Sequence, residues 1–398
     1  MKPIDTKTPV LVLNCKIGAL AIMRSLGSLG IPVHGVDAEP KAPGLLSRYC
    51  RGKYVRPYDE SRSGGYLQYL LDLAKRLGKG TILIPTSDEL SLFVADHAEA
   101  LGEYFVFPKN TPDLVRELVS KEGMYHLAGK HRVPSPFTIF PKSSDDVLRY
   151  SGSAKLPIML KGIHGNRLEE RTGKKMVLVR TREELIANYQ ALEDPEHPNL
   201  MLQEYIPGGD DQIYIFNGYF DADSECLAAF TGHKIRQAPI HVGCASLGVC
   251  RWNQEVADMT TGFMRAIGYK GILDIGYRLD QRDGSYKVLD INPRVGQAFR
   301  LFVAENDMDV VKALYLNLTG QEQPPIVPRE GRKWVIEDFD VISSLHYHQE
   351  GALTFAEWIK SFRKLEEGAW FHWKDPLPFL DMVWRLFGRF SSWMKKSR

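Results

Sequence analysis

At 398 residues the chain is too long for one hydrophobic core of ordinary size and suits two or three lobes. Its composition, 44% hydrophobic and 25% charged, is that of a soluble globular protein. A formal net charge of only +2 leaves no broad cationic excess for a phosphate backbone, so no nucleic-acid partner is expected. Five scattered cysteines, Cys15, Cys50, Cys226, Cys244 and Cys250, show neither CxxC nor zinc-type spacing and read as reduced, buried thiols in a cytoplasm.

Val10–Leu13 is far too short for a signal or membrane segment and reads as the first strand of a sheet. Gly18 falls in the turn that follows. Ala19 to Leu29 has helical spacing, Gly30 stops it, and Val33–Asp37 is the next strand. A second unit of this kind runs through the helix Tyr66–Leu77 and the strand Ile82–Pro85, predicting a parallel sheet with right-handed crossovers. The turn Asn14-Cys15-Lys16-Ile17-Gly18 lacks GxGxxG spacing, so this lobe is read as a Rossmann-like wall that lends substrate contacts from its strand ends. Ser87 and Asp88 are candidates there.

Asp113–His131 reads as one long amphipathic helix, leaving through the extended Val133-Pro134-Ser135-Pro136. Strands at Ile158–Lys161, Met176–Val179 and Leu200–Gln203 flank a helix at Arg182–Leu192. Gln212–Phe216 and Cys226–Phe230 are predicted to pair antiparallel, joined at Asn217-Gly218 and a polar bend. Near the end, Trp358, Trp370, Trp373, Trp384 and Trp393 crowd together. The helix Phe379–Trp393 could lie on a membrane or partner, although such stripes more often pack on their own protein.

The chemistry is concentrated in two strands, Gly271–Asp280 and Tyr286–Asn292, joined by the turn Arg282-Asp283-Gly284-Ser285. Pairing across it sets Asp274 roughly opposite Asp290, and Asp290 and Asn292 share a face. Two carboxylates and an amide oxygen form a hard-oxygen set suited to magnesium, which takes its other ligands from phosphate and water. Arg294 can grip phosphate or carboxylate bidentately. On spacing alone, a sheet-end Asp and Asn capping a turn fits as well. Lys161 adds weight to the metal reading, because an ammonium ending an apolar strand needs an anion. Lys121, on an amphipathic stretch, reads by itself as a surface lysine.

Taken in order, Ser120-Lys121-Glu122, Val133-Pro134-Ser135-Pro136, Pro157–Lys161, Leu202–Gly208 and Leu289–Arg294 resemble the ATP-grasp superfamily, in its carboxylate–amine ligase branch. The likeness covers about residues 8–320. It implies an α/β fold, α+β in the central and lid lobes: a Rossmann-like domain at 1–112, a small lid lobe at 113–205, a large lobe with the metal site at 206–325, and an aromatic-rich extension at 326–398. The two α+β lobes would clamp the nucleotide. It implies further that Lys121 and Lys161 contact ATP phosphates, that Glu204, Tyr205 and Ile206 meet adenine, and that Asp211 or Asp210 holds the ribose. Asp274, Asp290 and Asn292 would bind Mg2+, with Mn2+ as a substitute, Arg294 would sit by the transferred phosphate, and Gly162–Lys175 would be the lid loop. Both metal carboxylates are Asp where many relatives have Glu or Gln, and the lid carries the charged run Arg167–Arg171.

The chemistry so implied makes an amide: a carboxylate attacks the γ-phosphate of ATP, and an amine displaces phosphate from the acyl phosphate. Positioning and charge neutralisation suffice, without a nucleophilic residue. Arg236 is the candidate for holding the carboxylate or acyl phosphate, with an exposed strand arginine as the equal alternative; Cys244 reads as packing. The partners expected are a small-molecule carboxylate and amine, a second copy in a homodimer, and a membrane or partner at the C-terminal helix. The rivals are a carboxylase or phosphotransferase relative, and a nucleotide-binding regulator without turnover.

Overall fold

The computed structural model describes residues 4–163, 165–174 and 176–396, so His164 and Lys175 of the expected lid loop and the basic end Ser397-Arg398 lie outside the described residues. The chain divides into two compact units: Met1–Val115, Gly209–Ile275 and Asn292–Arg398 form the larger, and Arg116–Gly208 with Gly276–Ile291 the smaller.

The larger unit opens with a five-stranded parallel sheet of order β3-β2-β1-β4-β5, comprising β1 Val10–Leu13, β2 Val33–Asp37, β3 Cys50–Val55, β4 Thr81–Pro85 and β5 Phe105–Val106. Every residue of β1 is fully buried, as a central strand covered on both faces requires. The helix after β1 covers Ile17–Gly27, ending earlier than its spacing suggested. Asn14 makes the turn into it with φ 67°, a left-handed conformation that asparagine tolerates. Asp37 closes that turn, accepting from the backbone N–H of Cys15 at 2.6 Å and of Glu39 at 2.8 Å. The strand order reverses between β1 and β4, so the loops after those strands flank the crevice where such sheets take ligands.

In the smaller unit, β6 Thr138–Ile139, β7 Ile158–Gly162, β8 Met176–Val179 and β9 Leu200–Glu204 form an antiparallel sheet of order β6-β9-β7-β8. One face, with Ile158, Leu160, Leu200 and Leu202, packs under the helices Ser144–Ser151 and Arg182–Leu192. The expected single helix at 113–131 is two, Pro112–Val119 and Lys121–Lys130. Ser120 breaks it by capping the second, its hydroxyl accepting from the N–H of Gly123, so the amphipathic pattern ran on across a cap. The lid segment is also more regular than a loop, with a helix over Gly165–Thr172.

A seven-stranded sheet has the order β14-β13-β10-β11-β12-β15-β16: β10 Ile213–Phe220, β11 Cys226–Ala238, β12 Cys244–Cys250, β13 Gly271–Asp280, β14 Ser285–Asn292, β15 Lys333–Val335 and β16 Leu365–Gly368. The outer residues of the β13–β14 hairpin, Gly276–Ile291, belong to the smaller unit. Asn217-Gly218 is not a turn: β10 runs through it to Phe220, and the bend falls at 221–225. Burial overrides the turn signal here, because Asn217 is fully buried and donates to the carbonyl of Leu273 at 3.2 Å. The C-terminal stretch is integral to the larger unit. It supplies β15 and β16, and its Asp375 forms a buried ion pair with Arg24 at 3.0 Å while accepting from Ser47 at 2.8 Å.

Candidate active site

In the smaller unit, Lys161 and Gln203 sit on neighbouring strands of one sheet face, where β7 and β9 pair Lys161 with Met201 and Met159 with Gln203. Nζ of Lys161 donates to Oε1 of Gln203 at 2.7 Å, and Gln203 in turn donates to the hydroxyl of Thr138 at 3.0 Å. Burial, reinforced by the like charges of Lys121 and Arg278 against the opposing charge of Asp290, pulls Lys161 down to about 8. Three cations therefore crowd one carboxylate. Lys121 lies at the start of its helix and pairs with Asp290 through a very short contact, and Tyr125 fixes the same strand by donating to the carbonyl of Leu289 at 3.0 Å. Lys121 is thus an ion-paired, mostly buried lysine and not a solvated one.

Glu204 ends β9. Its carboxylate accepts from Arg282 at 2.5 Å and from the N–H of Phe137 at 3.1 Å, with Lys287 at 3.8 Å. Arg282 and Lys287 also clamp buried Asp280, at 2.5 Å and 2.6 Å, and hold its carboxyl far below the usual range, Arg282 contributing most. Sequence reasoning passed over Gln203, Asp280, Arg282 and Lys287. Only the last three carried a signal, as a charged cluster around the hairpin turn. Ile206 is buried two residues beyond Glu204.

Asp290 has Gly276 as its cross-strand neighbour, since a β-carbon on Gly276 would lie 4.0 Å from that of Asp290. This shifts by two residues the expected register, which put Asp274 roughly opposite Asp290, because the hairpin centres one residue later than that pairing required. In the larger unit, Asp274 lies against Gly296. A β-carbon there would fall 1.6 Å from Oδ2, so only glycine leaves room for that carboxylate. The amide oxygen of Asn292 accepts from Arg294 at 3.0 Å, and the same guanidinium donates to Asp88 at 2.5 Å. Asp88 is held at the start of the helix Asp88–Asp96, which Ser87 caps by accepting from the N–H of Leu90. Ser87 is therefore occupied, while Asp88 and Arg294 stay partly exposed. A cavity of about 70 Å³ beside them is lined by Lys109, Asn110, Lys270 and Arg294 among others.

The donors at Asp274, Asp290 and Asn292 are all hard oxygens, and cations of the chain, Lys121 and Arg294, already sit on two of them. Each of these oxygens, on Asp274 and Asn292 in the larger unit and on Asp290 in the smaller, is of the type that magnesium takes. Among the described residues no group of three or more His, Cys, Asp or Glu converges as a metal cage.

Two other candidates resolve differently. Arg236 is 4% exposed and grips Asp340 with two 2.8 Å hydrogen bonds, while a third donor meets Ser361 at 2.8 Å and the guanidinium stacks on Phe362. It is neither an exposed strand arginine nor turned to a ligand. Of the acidic pair, Asp210 is engaged by Gln237 at 2.9 Å, by Tyr347 and by His241, whereas Asp211 is exposed and accepts from its neighbour Gln212 at 3.2 Å. Burial pushes the thiols of Cys226 and Cys250 up to about 12, which suits packing residues; all five cysteines are free.

A parallel lobe stands ahead of two α+β sheets, with strand lysines in one and a carboxylate-bearing hairpin running into Asn292-Pro293-Arg294, the order of parts that the ATP-grasp resemblance implied for the fold. No family model matches the chain. It is 25% identical over 284 residues to the D-aspartate ligase of Enterococcus faecium (strain Aus0004), spanning 68% of this chain and 67% of that one. Its fold is shared by N5-carboxyaminoimidazole synthetase of Staphylococcus aureus complexed with ADP, at a TM-score of 0.65 and 11% identity over 88% of each chain. The biotin carboxylase domain dimer of Hydrogenobacter thermophilus 2-oxoglutarate carboxylase, in complex with MgADP, has a TM-score of 0.63 and 17% identity over 83% of this chain and 74% of that one.

Proposed function

We propose that the chain is an ATP-dependent carboxylate–amine ligase, converting a small-molecule carboxylate to an acyl phosphate with Mg-ATP and then to an amide. The observation that carries this reading is Lys161, held on a buried strand beside two further cations with one carboxylate to offset them. Such crowding of like charge is costly unless a polyanion completes it, and a nucleotide phosphate has that charge.

In this reading Lys121 and Lys161 neutralise phosphate oxygens, with Asp290 holding the first and Gln203 the second. Glu204, Tyr205 and Ile206 meet adenine, and Asp211, the exposed member of its pair, takes the ribose hydroxyls. Asp274, Asp290 and Asn292 would hold magnesium, for which Mn2+ is the expected substitute. When bound, the metal supplies charge neutralisation at the transferred phosphate. The carboxylate oxygen attacks the γ-phosphorus and the bond to the bridging oxygen of ADP breaks. The amine then attacks the acyl carbon, loses a proton and expels phosphate. Arg294 steadies the negative charge of the acyl phosphate, and Asp88 keeps its guanidinium oriented. Arg236 has no part in this reading, its donors being spent on Asp340 and Ser361.

The test is ADP release with D-aspartate and other amino acids offered in pairs with amines, and Asp290→Ala as control. Dependence on both a carboxylate and an amine supports the ligase. A phosphorylated product without amine points to a phosphotransferase, bicarbonate consumption to a carboxylase, and ATP binding with no ADP across the panel to a regulator. A cytoplasmic homodimer is the assembly expected, and sedimentation velocity checks it.

A further inference from the structure

Large apolar side chains are unevenly exposed along this chain. Of 19 such residues exposed among those described, 12 lie beyond residue 340. The final helix, Leu377–Lys396, presents Leu377, Leu380, Trp384 and Phe387 at helical spacing, 51%, 57%, 79% and 69% exposed. Trp373, 74% exposed, stands just before it, with the ammonium of Lys374 5.1 Å from its ring.

This stripe is not a loose end. Met382, on another face, is buried, and Arg385 donates to the carbonyl of Lys41 at 2.6 Å while pairing with Asp381. Asp375 roots the segment by its buried pair with Arg24. The helix is thus fixed to the larger unit by one face and carries Leu380, Trp384 and Phe387 exposed on another. No helix among the described residues is long and apolar enough to cross a membrane.

Charge narrows what can cover the stripe. From Lys374 onward the sequence holds six basic residues, Lys374, Arg385, Arg389, Lys395, Lys396 and Arg398, against two acids, Asp375 and Asp381. Both acids are already paired, with Arg24 and Arg385. The exposed side chains described are tryptophan, phenylalanine and leucine, and the sequence of the segment carries a basic excess, together the composition of helices that lie in the plane of a bilayer interface. We infer that the C-terminal helix docks this chain on an anionic lipid bilayer, with Trp373, Leu380, Trp384 and Phe387 in the headgroup boundary and the basic excess of the segment's sequence supplying the preference for anionic lipid. The inference does not depend on the identity of the reaction.

The experiment is co-sedimentation of the full chain with phosphatidylcholine vesicles, with and without phosphatidylglycerol, comparing the parent with the double variant Trp384→Asp, Phe387→Asp. Both side chains are exposed, so thermal melting of the variant should match the parent. The expected result is binding to the anionic vesicles that salt weakens and that the variant loses by roughly tenfold or more. Equal partitioning of variant and parent, or no binding to anionic vesicles, overturns it. So does a dimer in sedimentation velocity that the variant dissolves while vesicles are ignored, which would give the stripe to a second copy of the chain.

Discussion

Arg236 and Arg294 were both expected to handle the substrate's negative charge, and they have been put to different uses. Arg236 is buried, and five-donor geometry lets it grip both oxygens of Asp340 and still reach Ser361. Arg294 is partly exposed, touches Asp88 and Asn292, and borders a cavity. The first arrangement is complete without a ligand. The second leaves a guanidinium at the surface between two acceptors that could be exchanged for a phosphate or carboxylate. The same contrast separates Asp210, enclosed by Gln237, Tyr347 and His241, from exposed Asp211. A charge whose partners are all internal braces the fold; Lys161, crowded by its own kind, is in the proposed reading the charge that a bound phosphate would complete.

The largest effect should come from the brace. Asp340→Asn leaves the buried Arg236 uncompensated and should cost about 3–5 kcal/mol in urea unfolding, whereas replacing both by apolar residues, Arg236→Met with Asp340→Leu, should restore much of it. Folded Asp340→Asn should retain its ATP affinity, and loss of affinity would make Arg236 a ligand after all. Asp290→Ala should do the opposite. Its carboxylate is half exposed, so melting should hold, while ADP formation falls by roughly 10²–10³-fold. Next comes Gly296→Ala: the added methyl must displace the carboxylate of Asp274. A loss of roughly tenfold in magnesium affinity, read from the metal dependence of ADP release, is expected with the fold retained. Unchanged metal dependence would remove Asp274 from the site.

What the sequence made legible is local. The strand Val10–Leu13, the lysine ending Ile158–Lys161 and the hairpin closed by Asp283-Gly284 each carry their signal within a dozen residues. Partnerships across long stretches were not legible. Arg236 and Asp340 are 104 residues apart, and Arg294 and Asp88 are 206 apart. No periodicity links such positions, so one arginine could not be told from the other. Two local signals also misled: the amphipathic pattern ran on through the cap at Ser120, and Asn217-Gly218 looked like a turn although close packing holds it in a strand. In both, the competing interaction was invisible at the level of propensity.

The smallest effect is the one that best separates a waiting charge from a brace, and it depends on pH. Lys161 is lowered by burial first and by Lys121 next, to about 8. In the free protein it therefore begins to lose its proton as pH rises through 8, and a phosphate bound there must restore it. ATP affinity should fall by up to about tenfold per pH unit above that point, and calorimetry near pH 8.5 in buffers of different ionisation enthalpy should show a proton taken up on binding. Stability has the opposite sign. Because the folded pKa lies below the unfolded value of about 10.4, the unfolded chain holds more protons between pH 8 and that value, and stability from this group rises with pH across the window. Lys161→Met should accordingly be more stable than the parent at pH 7, by a margin that shrinks towards pH 10, while binding ATP more weakly at pH 7. A margin that does not change with pH would mean that Lys161 keeps its proton, and with it an internal partner, like Arg236.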